Sequence, residues 1–95
     1  MEIEDLEVLK MLGSRGTTEI LEFLSEHGEA RYIQMQEFIN SHTLNTRMRE
    51  LLGYGLVEHR MEKKEKRREW YELTEKGKKV IKKLKDLINL IEEPL

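Results

Sequence analysis

His42, Thr43, Asn45, Thr46, Arg47 and Arg49 crowd into one short stretch and offer imidazole, hydroxyl, amide and guanidinium groups with no carboxylate among them. Such a set can both donate and accept hydrogen bonds, as reading a base edge requires. Asparagine suits adenine, arginine suits guanine, and threonine meets a thymine methyl or a phosphate. Further along, Lys63, Lys64, Lys66 and Arg67 supply charges suited to phosphates, inside a stretch from His59 to Arg68 with six basic and two acidic side chains. Two plainer explanations compete: a surface helix is polar in any case, and a hairpin can blunt its exposed edge with lysine. Against the first stands the near-absence from this helix face of Glu and Lys, the chain's usual surface residues.

Other chemistries find no footing. There is no Cys, so disulfides, thiolate catalysis and Cys-based zinc sites are excluded together. His27, His42 and His59 fall on three different elements with no pair at helical i, i+4 spacing. No Gly-rich phosphate loop or Gly-x-Ser-x-Gly elbow occurs either. The expectation is a non-enzyme with no catalytic residue, metal or cofactor. His27 reads as a favourable charge at a helix end or as a half-buried side chain.

The elements that must position the polar stretch follow from spacing. Ile3, Leu6, Val8, Leu9, Met11 and Leu12 predict a first helix apolar on more than one side. Thr17 or Ser14 can cap a second, with Ile20, Phe23, Leu24 and His27 on one stripe and Gly28 as its left-handed stop. After an extended Arg31-Tyr32 link, a brief helix over about Ile33 to Ile39 puts Tyr32, Met35 and Ile39 on one side. Asn40 caps a third major helix running to about Tyr54, with Leu44, Met48, Leu51 and Leu52 facing the core. Leu56 to Met61 and Arg68 to Leu73 predict two strands joined by a charged tip over 62–67. Alternation places Tyr71 and Leu73 inward and Trp70 on the other face. Thr74 caps a long last helix whose Val80, Ile81, Leu84, Leu87, Ile88 and Ile91 form a stripe that ends before Pro94.

The 95 residues and 38% hydrophobic content fit one small soluble domain with little stability margin, for which dimerisation is a natural remedy. No run is long and apolar enough to span a membrane, and the acidic start is unlike a secretory signal, so a cytoplasmic protein is expected. The excess of Glu and Lys over Gln and Cys is a balance also found in proteins of hot-living organisms. The net charge of −2 argues mildly against a nucleic-acid partner until it is divided: residues 1–29 carry −6, residues 30–60 carry +1 and residues 61–95 carry +3.

The order helix, helix, helix, strand, charged turn, strand, helix describes a helix-turn-helix followed by a hairpin wing. Thr43-Leu44-Asn45-Thr46-Arg47-Met48-Arg49-Glu50-Leu51, then Gly55-Leu56-Val57-Glu58-His59-Arg60 and Tyr71-Glu72-Leu73-Thr74-Glu75-Lys76-Gly77, resemble the winged-helix transcriptional regulators of the HxlR type. More broadly they resemble the MarR and PadR relatives. Leu12-Gly13-Ser14-Arg15-Gly16-Thr17 with Ile20-Leu21 is similar to the segment entering that family's first core helix, so the resemblance spans about 12–80. It implies a mainly α winged helix-turn-helix with a small β-hairpin and extra N-terminal and C-terminal dimerisation helices. The whole chain, 1–95, would be one DNA-binding domain: first helix 1–12, winged core 17–73 and dimerisation helix 74–92.

The resemblance further implies a homodimer that regulates transcription on double-stranded DNA. Its recognition helix, about 41–54, would enter the major groove with His42, Thr43, Asn45, Thr46, Arg47 and Arg49. Its wing, about 62–67, would touch flanking backbone or the minor groove with Lys63, Lys64, Lys66 and Arg67. Three departures stand out: family members often carry tryptophan where Gly16 stands, an N-terminal cysteine used for sensing, and proline in the wing. A redox-sensing role therefore has no residue to carry it. A dimer interface of Ile3, Leu6 and Leu9 with Leu84, Leu87, Ile88 and Ile91 is supported by apolar stripes longer than one small core covers. The competing reading has both helices pack only on their own domain. The other function class is a winged helix used for protein contacts without DNA, kept open by Trp70. As in relatives, a pocket between the dimerisation helices and the body could bind a small-molecule effector, though no polar constellation marks one.

Overall fold

The structure, a computed structural model, describes residues 1–95. Its elements are α1 (Ile3–Leu12), α2 (Thr17–His27), α3 (Tyr32–Met35), α4 (Ser41–Gly53), β1 (Val57–Lys63), β2 (Arg67–Leu73) and α5 (Glu75–Glu92). Together they form a winged helix-turn-helix: three helices, a two-stranded antiparallel wing, and one further helix at each end. Ile20, Leu21 and Leu24 of α2, Met35 of α3, and Leu44 and Leu51 of α4 are fully buried. Each such side chain contributes about 1.5–3 kcal/mol through the apolar surface it removes from water.

The junction of α1 and α2 is built differently from its sequence reading. Neither Thr17 nor Ser14 caps α2. Both hydroxyls turn back to α1, Ser14 donating to Lys10 O at 2.6 Å and buried Thr17 to Met11 O at 2.6 Å, where they satisfy carbonyls that a helix end leaves unpaired. The N-cap of α2 is Gly16 at φ +96°, and its N–H is taken by the Glu19 carboxylate at 2.9 Å. Gly28 ends α2 at φ +81°, its N–H on Leu24 O, as its residue type suggests.

The brief third helix is shorter than its apolar spacing predicts. Regular helix covers one turn, and Gln36 to Ile39 continue as turns bonded to Tyr32, Gln34 and Met35 carbonyls. Met35 and Ile39 are nonetheless buried and Tyr32 packs on the core. Asn40 caps α4, accepting from Thr43 N–H at 2.9 Å. Leu52, expected inward, is 38% exposed. At about 100° per residue it lies about 80° around the helix from Leu44, on the far side from Leu51 and outside the stripe that Leu44, Met48 and Leu51 define.

The wing is longer and its turn tighter than expected. Pairing runs from Val57 with Leu73 out to Lys63 with Arg67. Glu62, Lys63 and Arg67 thus belong to the strands, and only residues 64–66 turn. Ala30 adds a bridge to β2, exchanging backbone bonds with Tyr71 at 3.0 and 2.8 Å. Leu73 is buried and Tyr71 packs on the core. Half-buried Trp70 lies beneath the Arg68 guanidinium, 4.4 Å from the ring centroid, and donates its indole N–H to Glu72 at 2.6 Å.

The last helix is anchored at one knot. Thr74 caps it by accepting from Gly77 N–H at 3.0 Å, donates its hydroxyl to Gly55 O at 2.6 Å, and gives its own N–H to Leu56 O at 3.0 Å. Gly77 sits so close to Leu56 that a Cβ there would be 2.0 Å from Leu56 O. Ile81 is buried and Val80 and Leu84 pack partly on the core, but every residue from Lys85 onward is exposed. The molecule is accordingly drawn out, 57 × 27 × 24 Å. None of its helices is long and apolar enough to cross a membrane.

Candidate nucleic-acid interface

On α4 the core side is fixed by Leu44, Met48 and Leu51, so the arc that runs outward from Met48 is available to a partner. Ser41, His42, Asn45 and Arg49 are exposed along it. None of these four carries negative charge, and Arg49 has no ion-pair partner on the chain, which leaves its guanidinium fork open to a base edge or a phosphate. Asn45 is held: its Oδ1 accepts from the Tyr32 hydroxyl on α3.

The other three helix residues singled out by sequence are less open. Thr43 is half-buried beside the α1–α2 loop, its methyl 3.1 Å from where a Cβ on Gly16 would stand. Thr46 donates its hydroxyl to His42 O at 3.0 Å and lines a cavity of about 460 Å³ with Glu7 and Lys10 of α1. Arg47 is only 19% exposed; its Nε–H bonds Arg15 O at 3.0 Å, and one terminal nitrogen is paired with Glu50. By helical spacing Arg47 sits on the flank of the face. What sequence could not show is that the carbonyl of Arg15 waits on that flank, so this guanidinium joins α4 to the α1–α2 loop.

Beside α4, the wing presents Lys63, Lys64, Lys66 and Arg67, all exposed. Lys64 lies 3.6 Å from Glu62 and Arg67 3.3 Å from Glu69, exposed pairs that contribute little and are readily exchanged for another anion. Lys63 and Lys66 have no acidic partner. Two further cations join them that sequence reading did not single out as phosphate contacts, although Arg68 closes the basic stretch that begins at His59. Arg31 and Arg68 line a cavity of about 480 Å³ with Lys66, Arg67, Gln34 and Glu29, and Arg68 is paired with Glu29 at 2.9 Å. The bridge from Ala30 to Tyr71 brings Arg31 to the wing, a long-range contact with no local signature beyond the extended link itself.

His27 is exposed, stacked on Phe23 at 4.0 Å with Nδ1 2.9 Å from Phe23 O. It lies apart from the α4 face and wing. The apolar residues proposed for a dimer divide. Ile3, Leu6, Leu9, Leu87, Ile88 and Ile91 are all exposed, Ile3 and Ile91 to 72%, whereas Leu84 packs partly on its own core. Between α1, α5 and the body lies a cavity of about 230 Å³, lined by Val8, Met11, Leu12, Tyr54, Leu56 and Val80 with Lys76 as the sole charged residue.

The family model for an HxlR-like helix-turn-helix matches residues 11–95. Among solved structures, the chain is similar to the reduced form of the transcriptional regulator YodB from B. subtilis, at 25% identity and a TM-score of 0.76, over 100% of this chain and 98% of that one. A transcriptional regulator homologue from Pyrococcus horikoshii is similar at 26% identity and a TM-score of 0.71, covering 96% and 100%. A regulator of the MarR family from Enterococcus faecalis shares the fold, with a TM-score of 0.77 at 20% identity over 97% and 87%. No curated protein matches the chain by sequence.

Proposed function

The chain belongs to the HxlR-like helix-turn-helix family, and from that premise we propose that it is a transcriptional regulator that binds specific double-stranded DNA as a homodimer. The observation that carries the reading is the exposed arc of α4, where Ser41, His42, Asn45 and Arg49 stand together without a carboxylate beside a basic wing. In this reading α4 enters the major groove, with Asn45, Arg49 and His42 reading bases. Thr43 and Thr46 lie at the margins, and Arg47 holds the helix in place rather than touching DNA. Lys63, Lys64, Lys66 and Arg67, joined by Arg31 and Arg68, meet the flanking phosphates.

The homodimer is supported by apolar side chains left uncovered on α1 and on the far half of α5, since a monomer exposing both stripes leaves that surface in water. Two recognition helices related by a two-fold axis fit half-sites about 34–36 Å apart. Such a protein works in the compartment that holds the DNA, in this reading the cytoplasm. YodB has been captured in a reduced form and after diamide treatment; this chain has no cysteine, so a thiol response has no residue here. Trp70, the feature that favoured a protein-contact module, is engaged by Arg68 and Glu72 of its own hairpin, which removes that module's main support.

A mobility-shift titration against duplexes selected from genomic DNA tests the reading. Specific binding whose log K falls with log salt at about −0.9 per neutralised phosphate is expected. Affinity that is unmoved when Arg49 and the wing lysines are replaced together would refute this interface, and a protein that binds no duplex would refute DNA binding. A monomer in sedimentation at micromolar concentration would refute the dimer.

A further inference from the structure

Tyr32 lies on a different helix from the exposed arc of α4, yet it holds the side chain in the middle of that arc. Its ring packs on the core at the start of α3, and its hydroxyl donates to Asn45 Oδ1 across 13 residues of sequence. The base of that contact is itself fixed. Ala30 is bonded to β2 through both of its backbone groups, and the Arg31 N–H is capped by Gln34 Oε1 at 2.8 Å.

A primary amide has an accepting end and a donating end. Reading adenine in the major groove uses both, with Oδ1 accepting from the N6 amino group and Nδ2 donating to N7. With Oδ1 drawn toward α3 by the phenol, the end of Asn45 left to face a base is the amino group. Guanine presents two acceptors there, N7 and O6, which an amino donor satisfies. Adenine sets its own N6 amino group against that donor.

We propose that Tyr32 is a specificity-determining positioning residue: by holding Asn45 Oδ1 it makes Asn45 read guanine rather than adenine at one position of each half-site. The inference rests on the DNA-binding reading of α4. It reverses the base preference that asparagine alone suggests.

Selection from randomised duplexes, run in parallel on the wild-type protein, Tyr32→Phe, Asn45→Ala and the double variant, separates the possibilities. The wild type should enrich guanine at a position whose preference disappears in Asn45→Ala. Tyr32→Phe keeps the ring and its packing, and should move that position toward adenine by about tenfold, equivalent to about 1.4 kcal/mol. In the Asn45→Ala background, Tyr32→Phe should change nothing there. Adenine enriched by the wild type at the Asn45-dependent position overturns the inference. So does the absence of any such position, or a Tyr32→Phe protein that binds all sequences more weakly with its preference unaltered. Those outcomes leave DNA binding standing, whereas a wild type that enriches no duplex overturns the DNA reading itself.

Discussion

Replacing Gly77 with alanine should unseat α5, even though alanine is the better helix former. A Cβ on Gly77 would stand 2.0 Å from Leu56 O, 3.0 Å from Leu56 C and 3.3 Å from Leu56 Cα. Those are backbone atoms with no rotamer to escape into, so the helix must retreat by at least about 1 Å, and overpacking of that kind costs up to about 3 kcal/mol. The retreat also strains the bonds from Thr74 to Gly55 O and Leu56 O, each contributing about 1 kcal/mol. Against this stands a gain of about 1 kcal/mol in helix propensity. The net is a loss of about 3 kcal/mol, which lowers Tm by more than about 10 °C in a domain of this size. Gly53 supplies the control: it is also helical, but nothing lies within 4 Å of a Cβ placed there, so Gly53→Ala should leave stability unchanged or raise it by about 0.5 kcal/mol. Thermal unfolding at one fixed protomer concentration reads both. A Gly77→Ala protein as stable as the wild type would refute the argument that the glycine is there to let α5 approach the Leu56 backbone ahead of β1.

The two arginines of α4 should part company. Arg47→Ala, losing the Arg15 and Glu50 contacts, should lower stability by about 1–2 kcal/mol and weaken every DNA sequence alike. Arg49→Ala should leave unfolding untouched and relax discrimination at one base pair by about 1–3 kcal/mol, as competition binding would read. Replacing Lys64 and Lys66 with glutamine should reduce the slope of log K against log salt by about 1 per lysine, without altering the preferred sequence. Glu19 supplies a pH test. The Thr18 hydroxyl, and then the backbone N–H groups at Glu19 and Gly16, hold its carboxyl below the ordinary 4.5 although burial pulls the other way. The folded value lies below the unfolded one, so its stabilisation is complete above about pH 4.5 and is lost as pH falls through the folded value. The stability gap between wild type and Glu19→Gln, no more than about 1 kcal/mol for so exposed a group, should therefore close in acid. A gap constant down to pH 3 would exclude this origin.

What sequence made legible were the features with local causes. Asn40 and Thr74 cap their helices because an N-cap oxygen needs only the backbone N–H three residues on. The Leu-Thr-x-x-Gly run at 73–77 was visible as a family pattern. Its reason is a contact, since the knot at Gly55, Leu56, Thr74 and Gly77 forms only after the wing has folded back. Where sequence misled, a competing nearby partner had taken the group. Thr17 and Ser14 are suitable caps for α2 but bond the carbonyls ending α1, and Glu19 serves instead. The wing turn shortened to 64–66 because Lys63 and Arg67 pair across the ladder, which a run of charges does not announce. The exposed face of α4 was legible as a polar arc, but its inner differences were not: Arg47 and Arg49 are chemically alike and two residues apart, and only the fold decides which one is occupied.

The exposed far half of α5 gives the proposed dimer an unusual kind of freedom. From Lys85 onward nothing in its own subunit restrains that helix, so the relation between two reading heads is set by how many residues separate the knot at Gly77 from the stripe at Leu87, Ile88 and Ile91. One residue added at Lys85 or Asp86, past the core contacts of Ile81 and Leu84, would advance the partner by about 1.5 Å and swing it by about 100° about the helix axis. Operator spacing is then a matter of phase as much as reach. A lineage could retune it by insertion or deletion in a segment that no core packing constrains, without altering any side chain that reads DNA.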